Sequence, residues 1–283
     1  MAKVLNKLPG GKIQDIDSFI TSLKRLIVKT LEVTIKFPVA GQDVLPPLPY
    51  KFFIELLSYL RSEAQPRHTV SVLTFNYDIA LDYAFYVERI AVDYALEPES
   101  QRGAVPLLKL HGSLNWGVCS NCKKIIPWNL MDYFHNRSWH PFHSNEESAI
   151  IDIGSNLKNH QHCNVNLLDE PVLVPPTWNK SEHHATLSSV WSRAAKELAE
   201  AENIFVIGYS LPDSDAFFRY LYGLGTVGDF PLKRFWVFDP DETGGVKSRF
   251  EALLGSGARS RFRPFRSTFD ESISVMRNGF RSR

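Results

Sequence analysis

Asn76, Asp78 and His111 each fall just after an apolar run that reads as a buried strand, which is where an α/β sheet gathers its working polar groups. The runs cover residues 70–75 and 105–110. The strings that follow are Thr74-Phe75-Asn76-Tyr77-Asp78 and Lys109-Leu110-His111-Gly112-Ser113. Parallel pairing of the two runs brings all three residues to one sheet edge. A histidine there can take a proton from water or a ribose hydroxyl near neutral pH, while an asparagine amide holds that oxygen without ionising. Such a pair suits cleavage of a glycosidic bond through a cation-like transition state. Each residue also has a plainer reading, His111 as a turn histidine and Asn76 as a cap of the following helix. The combination outweighs these because a third string, Gly208-Tyr209-Ser210, sets a small-residue turn at another strand end, where backbone N–H groups and a hydroxyl can approach a phosphate or ribose. Asp239, after Phe235-Trp236-Val237-Phe238, adds a carboxylate at a fourth strand end, suited to ribose hydroxyls or, equally, to capping a turn with Pro240.

A second chemistry is written in the cysteines. All three fall into two short knuckles, Cys119-x-x-Cys122 and His160-x-x-Cys163. Two ligands on each of two tight turns build a tetrahedral zinc site, and four protein ligands leave no position open for catalysis, so the metal is expected to be structural. His162 competes with His160 for the fourth place. The loop between the knuckles is longer than in compact zinc ribbons and must fold back on itself.

The elements that position these residues follow from periodicity. Apolar residues at helical spacing predict helices over residues 13–31 and 52–60, joined by a loop containing Pro46, Pro47 and Pro49. From residue 70 the pattern alternates: strands at 70–75, 105–111, 171–175, 203–208, 233–238 and 259–264, with helices near 79–90, 185–201, 214–222, 245–254 and 268–277. This predicts an α/β fold, a doubly wound and mostly parallel Rossmann-like sheet, with a small zinc-binding insertion. The expected organisation is a helical N-terminal part (1–68), a Rossmann-like part (69–116 and 171–283) and the insertion (117–170), which lacks a clear period and needs its own staple. Arg259, Arg261, Arg263 and Arg266 alternate loosely with Phe262 and Phe265, a pattern open to two readings, an anion-binding edge or, the preferred one, a charged, solvated strand face that discourages edge pairing.

Composition narrows the partners. With 283 residues, 44% apolar and 22% charged, the chain can bury a substantial core. Lys plus Arg (32) nearly balances Asp plus Glu (31), so nucleic acid is not expected as a partner. The N-terminus carries no continuous apolar stretch and no run is long enough to span a bilayer, so a soluble, cytoplasmic chain is expected. Three cysteines exclude a disulfide framework.

The motifs resemble those of the sirtuin-like family, in particular bacterial members that include antiphage NAD hydrolases, over residues 70–275. Thr74-Phe75-Asn76-Tyr77-Asp78 is similar to that family's T-x-N-x-D, and Lys109-Leu110-His111-Gly112-Ser113 to its histidine motif. Gly208-Tyr209-Ser210 resembles its G-x-S turn, Val237-Phe238-Asp239-Pro240 its ribose-facing strand end, and residues 174–180 a segment of the bacterial branch. The resemblance implies NAD or an ADP-ribose-like nucleotide as partner, with Thr74, Asn76, Asp78, Gly208, Ser210 and Asp239 binding it. It also implies Asn76 and His111 as catalytic residues, structural zinc on Cys119, Cys122, His160 and Cys163, and hydrolysis of NAD to nicotinamide and ADP-ribose in defence; a homo-oligomer is compatible with this. Val174-Pro175-Pro176-Thr177-Trp178 stands where deacylating members carry an F-G-E-type segment, which makes protein deacylation the weaker expectation. The family also opens on a strand and a G-A-G-x-S phosphate loop. Nothing before residue 70 supplies one, since Gly10-Gly11 follows no apolar strand, so a catalytically impaired or truncated nucleotide-binding module is the alternative expectation.

Overall fold

The computed structural model describes residues 13–41, 43–63, 69–99, 101–136, 143–145, 147–174, 187–212, 219 and 232–281. The segment 175–180, the expected helix over 214–222 and Gly10-Gly11 lie outside the described residues. The chain divides into two compact units, one of Met1–Lys51 with Val72–Val190 and one of Phe52–Ser71 with Trp191–Arg283.

In the first unit the order is α1 (Ile13–Thr34), β1 (Phe37–Ala40), β2 (Asp43–Val44), the start of α2 (Leu48–Glu63), β3 (Val72–Thr74), α3 (Ala80–Val87), β4 (Val92–Asp93), β5 (Val105–Lys109), β6 (Trp116–Val118), β7 (Ile125–Pro127), α4 (Leu130–Asn136), β8 (His143–Asn145), β9 (Ser148–Ala149), a 3-10 helix (Gly154–Asn159), β10 (Gln161–His162) and β11 (Val165–Asn166). Strand β5 is buried at all five positions because it lies between two parallel neighbours in the order β3-β5-β4. The stretch between the two leading helices, expected as a proline-rich loop, instead carries β1, which pairs antiparallel with β9 from the insertion (Phe37↔Ala149). One apolar cluster accordingly joins Val28 of α1 and Phe37 of β1 to Trp128, Tyr133, Ile153 and Leu157 of the insertion. These residues of the insertion are thus held by a hydrophobic core that they share with α1 and β1.

In the second unit α5 (Ser188–Ala199), which begins at the end of the first, is followed by β12 (Asn203–Ile207), β13 (Arg234–Phe238), α6 (Gly245–Leu253), α7 (Ser256–Arg259), β14 (Phe262–Phe265) and α8 (Phe269–Arg281). The strands form a parallel sheet in the order β12-β13-β14. Alternation along β13 sends Trp236 and Phe238 into a cluster with Leu56 of α2 and Ile273 and Met276 of α8, while Phe235 lies against Phe250 of α6. Helices therefore cover both faces. A glycine in α8 allows the close packing, since a Cβ at Gly279 would stand 2.5 Å from the Trp236 ring.

The fold is α/β with parallel sheets and helices between the strands, as the periodicity predicts. Several boundaries differ, among them the start of α2, which lies at Leu48 and takes in Pro49, expected in the loop. Residues 171–174 make only an isolated antiparallel bridge, Leu173 to Gly112, where a strand over 171–175 was expected; Pro171 has no N–H to give a ladder at the start of the segment. The last strand starts at Phe262, and Arg259 closes the short helix α7. Among the described residues no helix is long and apolar enough to cross a membrane.

Candidate functional site

The parallel register pairs Thr74 with Lys109, so the strings after β3 and β5 leave the first sheet at the same edge. The Leu110 N–H donates to the Thr74 carbonyl at 2.9 Å, extending the ladder one step beyond the strands. Asn76, Asp78 and His111 are thereby brought to one edge. His111 is 8% exposed, with its ring centroid 4.8 Å from that of Phe75 and 6.2 Å from that of Tyr77. Asn76 is exposed; its N–H donates to Thr74 Oγ1 at 3.1 Å, and its side chain is hydrogen-bonded to the Tyr50 hydroxyl. Burial, with Asp78 nearby, pushes the Tyr50 phenol up to about 12, so the hydroxyl stays neutral.

The histidine turn is fixed from behind. Gly112 has φ +87°, and a Cβ there would lie 1.9 Å from the Val172 carbonyl oxygen, so glycine is required both by the left-handed backbone and by the close approach. Val172 accepts from the Ser113 N–H at 3.1 Å, and the Val174 N–H donates to the His111 carbonyl at 2.9 Å. The Tyr77 hydroxyl donates to the Val174 carbonyl at 2.5 Å.

Behind the edge runs a buried polar chain that motif reading does not single out. Lys109 Nζ donates to Asp82 Oδ2 (2.7 Å) and to the Asp78 carbonyl (2.5 Å), and the Tyr94 hydroxyl donates to Asp82 Oδ1 (2.7 Å). Ser113 Oγ donates to Asn115 Oδ1 (2.7 Å), whose amide donates to the Trp128 carbonyl (3.2 Å). Asp78 Oδ1 accepts the Ala80 N–H at 2.9 Å at the start of α3, so this carboxylate also serves the helix entry. Burial raises its pKa above the ordinary carboxylate value, and the Lys109 ammonium opposes that rise. The one sequence signal for this chain was a lysine at the end of an otherwise apolar run.

In the second unit Gly208, Ser210 and Asp239 stand at the ends of β12 and β13. Gly208 has φ +62° with no atom within 4 Å of a built Cβ, and its N–H donates to the Phe238 carbonyl at 2.9 Å. Ser210 is exposed and its carbonyl accepts from Arg249 Nε at 2.7 Å. Asp239 Oδ1 accepts the Asp241 N–H at 2.9 Å. A cleft of about 240 Å³ opens here, lined by Asp239, Asp241, Gly244, Lys247 and Arg266 among others. Asp241 caps α6: its carboxylate accepts from the Thr243 hydroxyl (2.6 Å) and from the backbone N–H groups of Thr243 (2.9 Å) and Val246 (2.8 Å), and these bonds hold its pKa down at about 2.

The metal-ligand residues also converge, with one change of membership. Cys119, Cys122, Cys163 and His162 bring one ligand atom each to within 4.8 Å of one another. His162 Nδ1 lies 3.2 Å from Cys163 Sγ and 3.6 Å from Cys122 Sγ. His160, expected as the fourth ligand, is not in the group: its ring stacks on Trp128 at 5.1 Å, and its N–H closes the 3-10 helix on the Leu157 carbonyl. The physical reason is the hairpin β10–β11. Cys163 and Asn164 form its two-residue turn, with φ of 53° and 59°, and His162 directly precedes them. The long loop closes through an antiparallel bridge between Cys119 and Leu167 and the bond from the Leu168 N–H to the Val118 carbonyl (3.0 Å). The donor set fits zinc. Three sulfurs and an imidazole at Zn–S of about 2.3 Å require ligand separations of about 3.5–3.8 Å, a range that the 3.6 Å between His162 Nδ1 and Cys122 Sγ meets and that the whole group reaches by closing up from within 4.8 Å. Hydrogen bonding from the Cys122 backbone N–H, foremost, lowers the Cys119 thiol to about 6, favouring the thiolate that a metal binds.

No family model and no curated protein sequence matches the chain. Among solved structures it is similar to a Sir2 homologue mutant–ADP ribose complex, at 15% identity and a TM-score of 0.44, covering 96% of this chain and 80% of that one. A second Sir2 homologue mutant–ADP ribose complex matches at 16% and 0.45, with the same coverage. A Sir2 homolog–NAD complex matches at 16% and 0.46, covering 95% and 75%.

Proposed function

We propose that the protein is a sirtuin-like NAD-binding enzyme that hydrolyses NAD to nicotinamide and ADP-ribose. The observation that carries this reading is the Thr74–Lys109 register, which delivers an asparagine amide, a carboxylate and a histidine to one sheet edge. In the reaction the C–N bond between ribose and nicotinamide breaks, nicotinamide leaves with the electron pair, and water adds to the ribose carbon. Asn76 holds the incoming water oxygen and His111 takes its proton. Thr74 and Asp78 border the reacting end. Gly208, Ser210 and Asp239 are assigned the adenosine half, on the ground that an open glycine turn and a carboxylate at parallel strand ends are suited to ribose hydroxyls. Zinc on Cys119, Cys122, His162 and Cys163 is proposed as structural, since its four ligands leave no place for a substrate. The defence role, in the cytoplasm, rests on the motif resemblance alone.

The test is nicotinamide release from NAD by wild type, His111→Ala and Asn76→Ala at matched concentration. Loss of an essential base costs about two to four orders of magnitude in rate. Turnover of either variant within about tenfold of wild type overturns the assignment. Stabilisation by ADP-ribose with no nicotinamide release from wild type leaves a nucleotide-binding module instead.

A further inference from the structure

Lysine is an unusual residue at the centre of a parallel sheet. The Lys109 side chain, at the end of β5, is 1% exposed, and so is that of its partner Asp82. An ion pair stripped so fully of water adds little net stability over an apolar pair of the same size, so its presence is better explained by what it holds in place. It holds the turn between β3 and α3. Asp82 belongs to the first turn of α3, Lys109 to β5, and the Asp78 carbonyl bonded to Lys109 Nζ ends the segment that carries Asn76. Tyr94 closes the far side of the pair through Asp82 Oδ1.

We infer that Lys109 and Asp82 are positioning residues, an internal ion pair that ties the 76–78 turn to the edge of β5 where His111 leaves the sheet. The inference rests on the reading of Asn76 and His111 given above and extends it to two buried residues outside the motif positions assigned to nucleotide or catalysis. The Asp78 carboxylate reports on the arrangement. The charged and titratable groups that face it are Lys109 from β5, Asp82 from α3 and Tyr50 from α2. Lys109 lowers its pKa and Asp82 raises it.

The two partners therefore make opposite predictions. In Lys109→Met the Asp78 carboxyl, followed by NMR against pH, titrates higher than in wild type; in Asp82→Asn it titrates lower. A pair that serves packing alone would loosen the turn in both variants and move both titrations down toward an ordinary carboxylate, which overturns the inference. In Lys109→Met the Ala80 amide, bonded to Asp78 Oδ1, loses protection from hydrogen exchange. Nicotinamide release falls about tenfold to a hundredfold, the scale of a misplaced reacting group, with the acid limb of its pH profile moved upward. The charge-free double variant Lys109→Met/Asp82→Asn serves if the single lysine variant does not fold, and it too titrates Asp78 above wild type, because Lys109 is the larger influence. Wild-type titration and wild-type turnover together overturn the inference. If wild type releases no nicotinamide, the catalytic reading fails, and the Asp78 titrations alone still decide this one.

Discussion

At Gly112 the chain turns through the left-handed region while the Val172 carbonyl presses against the place a side chain would occupy. A methyl group there must displace the backbone of residues 172–174, and with it the bonds that hold the His111 carbonyl and the Ser113 N–H. Gly112→Ala is therefore expected to lose at least about 2 kcal/mol of stability, from backbone strain and from the clash, in equilibrium unfolding. A loss within experimental error would show that the 172–174 segment yields freely. The histidine motif is legible in sequence because its members are neighbours in the chain. Tyr50, Asp82 and Asn115 are not legible in this way, because what matters about them is a partner brought close by tertiary folding: Asn76, Lys109 and Trp128. Asp78 shows both sides at once, a candidate site carboxylate that also caps the entry to α3.

Among the elements, the β10–β11 hairpin shows what spacing decides and what it leaves open. The sequence offers two histidines close to Cys163, and the two-residue turn at Cys163-Asn164 places His162 beside the sulfurs while His160 stacks on Trp128. His162→Ala should thus lower bound zinc well below one per chain by elemental analysis and depress the melting temperature, as should Cys122→Ala, because structural metal binding is folding free energy. His160→Ala should retain the metal and lose only its ring stacking. The reverse result would return His160 to the ligand set. The N-terminus of α6 makes a separate prediction. Asp241 has a folded pKa of about 2, below the unfolded carboxylate value near 3.9, so its contribution is fully present above about pH 4 and disappears as pH falls toward 2. The melting temperature of Asp241→Ala should lie below wild type at pH 7, and the gap should close between pH 4 and 2. A gap that persists at pH 2 would mean the carboxylate's charge is not what caps the helix.

For the molecule as a whole, the strand and helix alternation was readable because buried parallel strands leave apolar runs such as Val105–Leu108 and Phe235–Phe238, each flanked by one charged residue, Lys109 and Arg234. The pairing of β1 with β9 was not readable, because short strands far apart in the chain carry no local signal of their partner. Each unit ends its parallel sheet in a polar edge of different character. The first has Asn76, Asp78 and His111 over a buried ion pair, and the second has an open glycine turn, a carboxylate and a capped helix. If the first edge performs chemistry and the second recognises a ribose, substitutions should separate rate from affinity. Asp239→Ala should reduce the thermal stabilisation given by ADP-ribose, which reaches about 2.7 kcal/mol at a hundredfold excess over Kd, while His111→Ala should keep that stabilisation and lose nicotinamide release. Equal loss of both properties in both variants would mean that the two edges do not divide the work. Full ADP-ribose stabilisation in Asp239→Ala would leave Asp239 with the role its bond to the Asp241 N–H already gives it, that of closing the turn into α6.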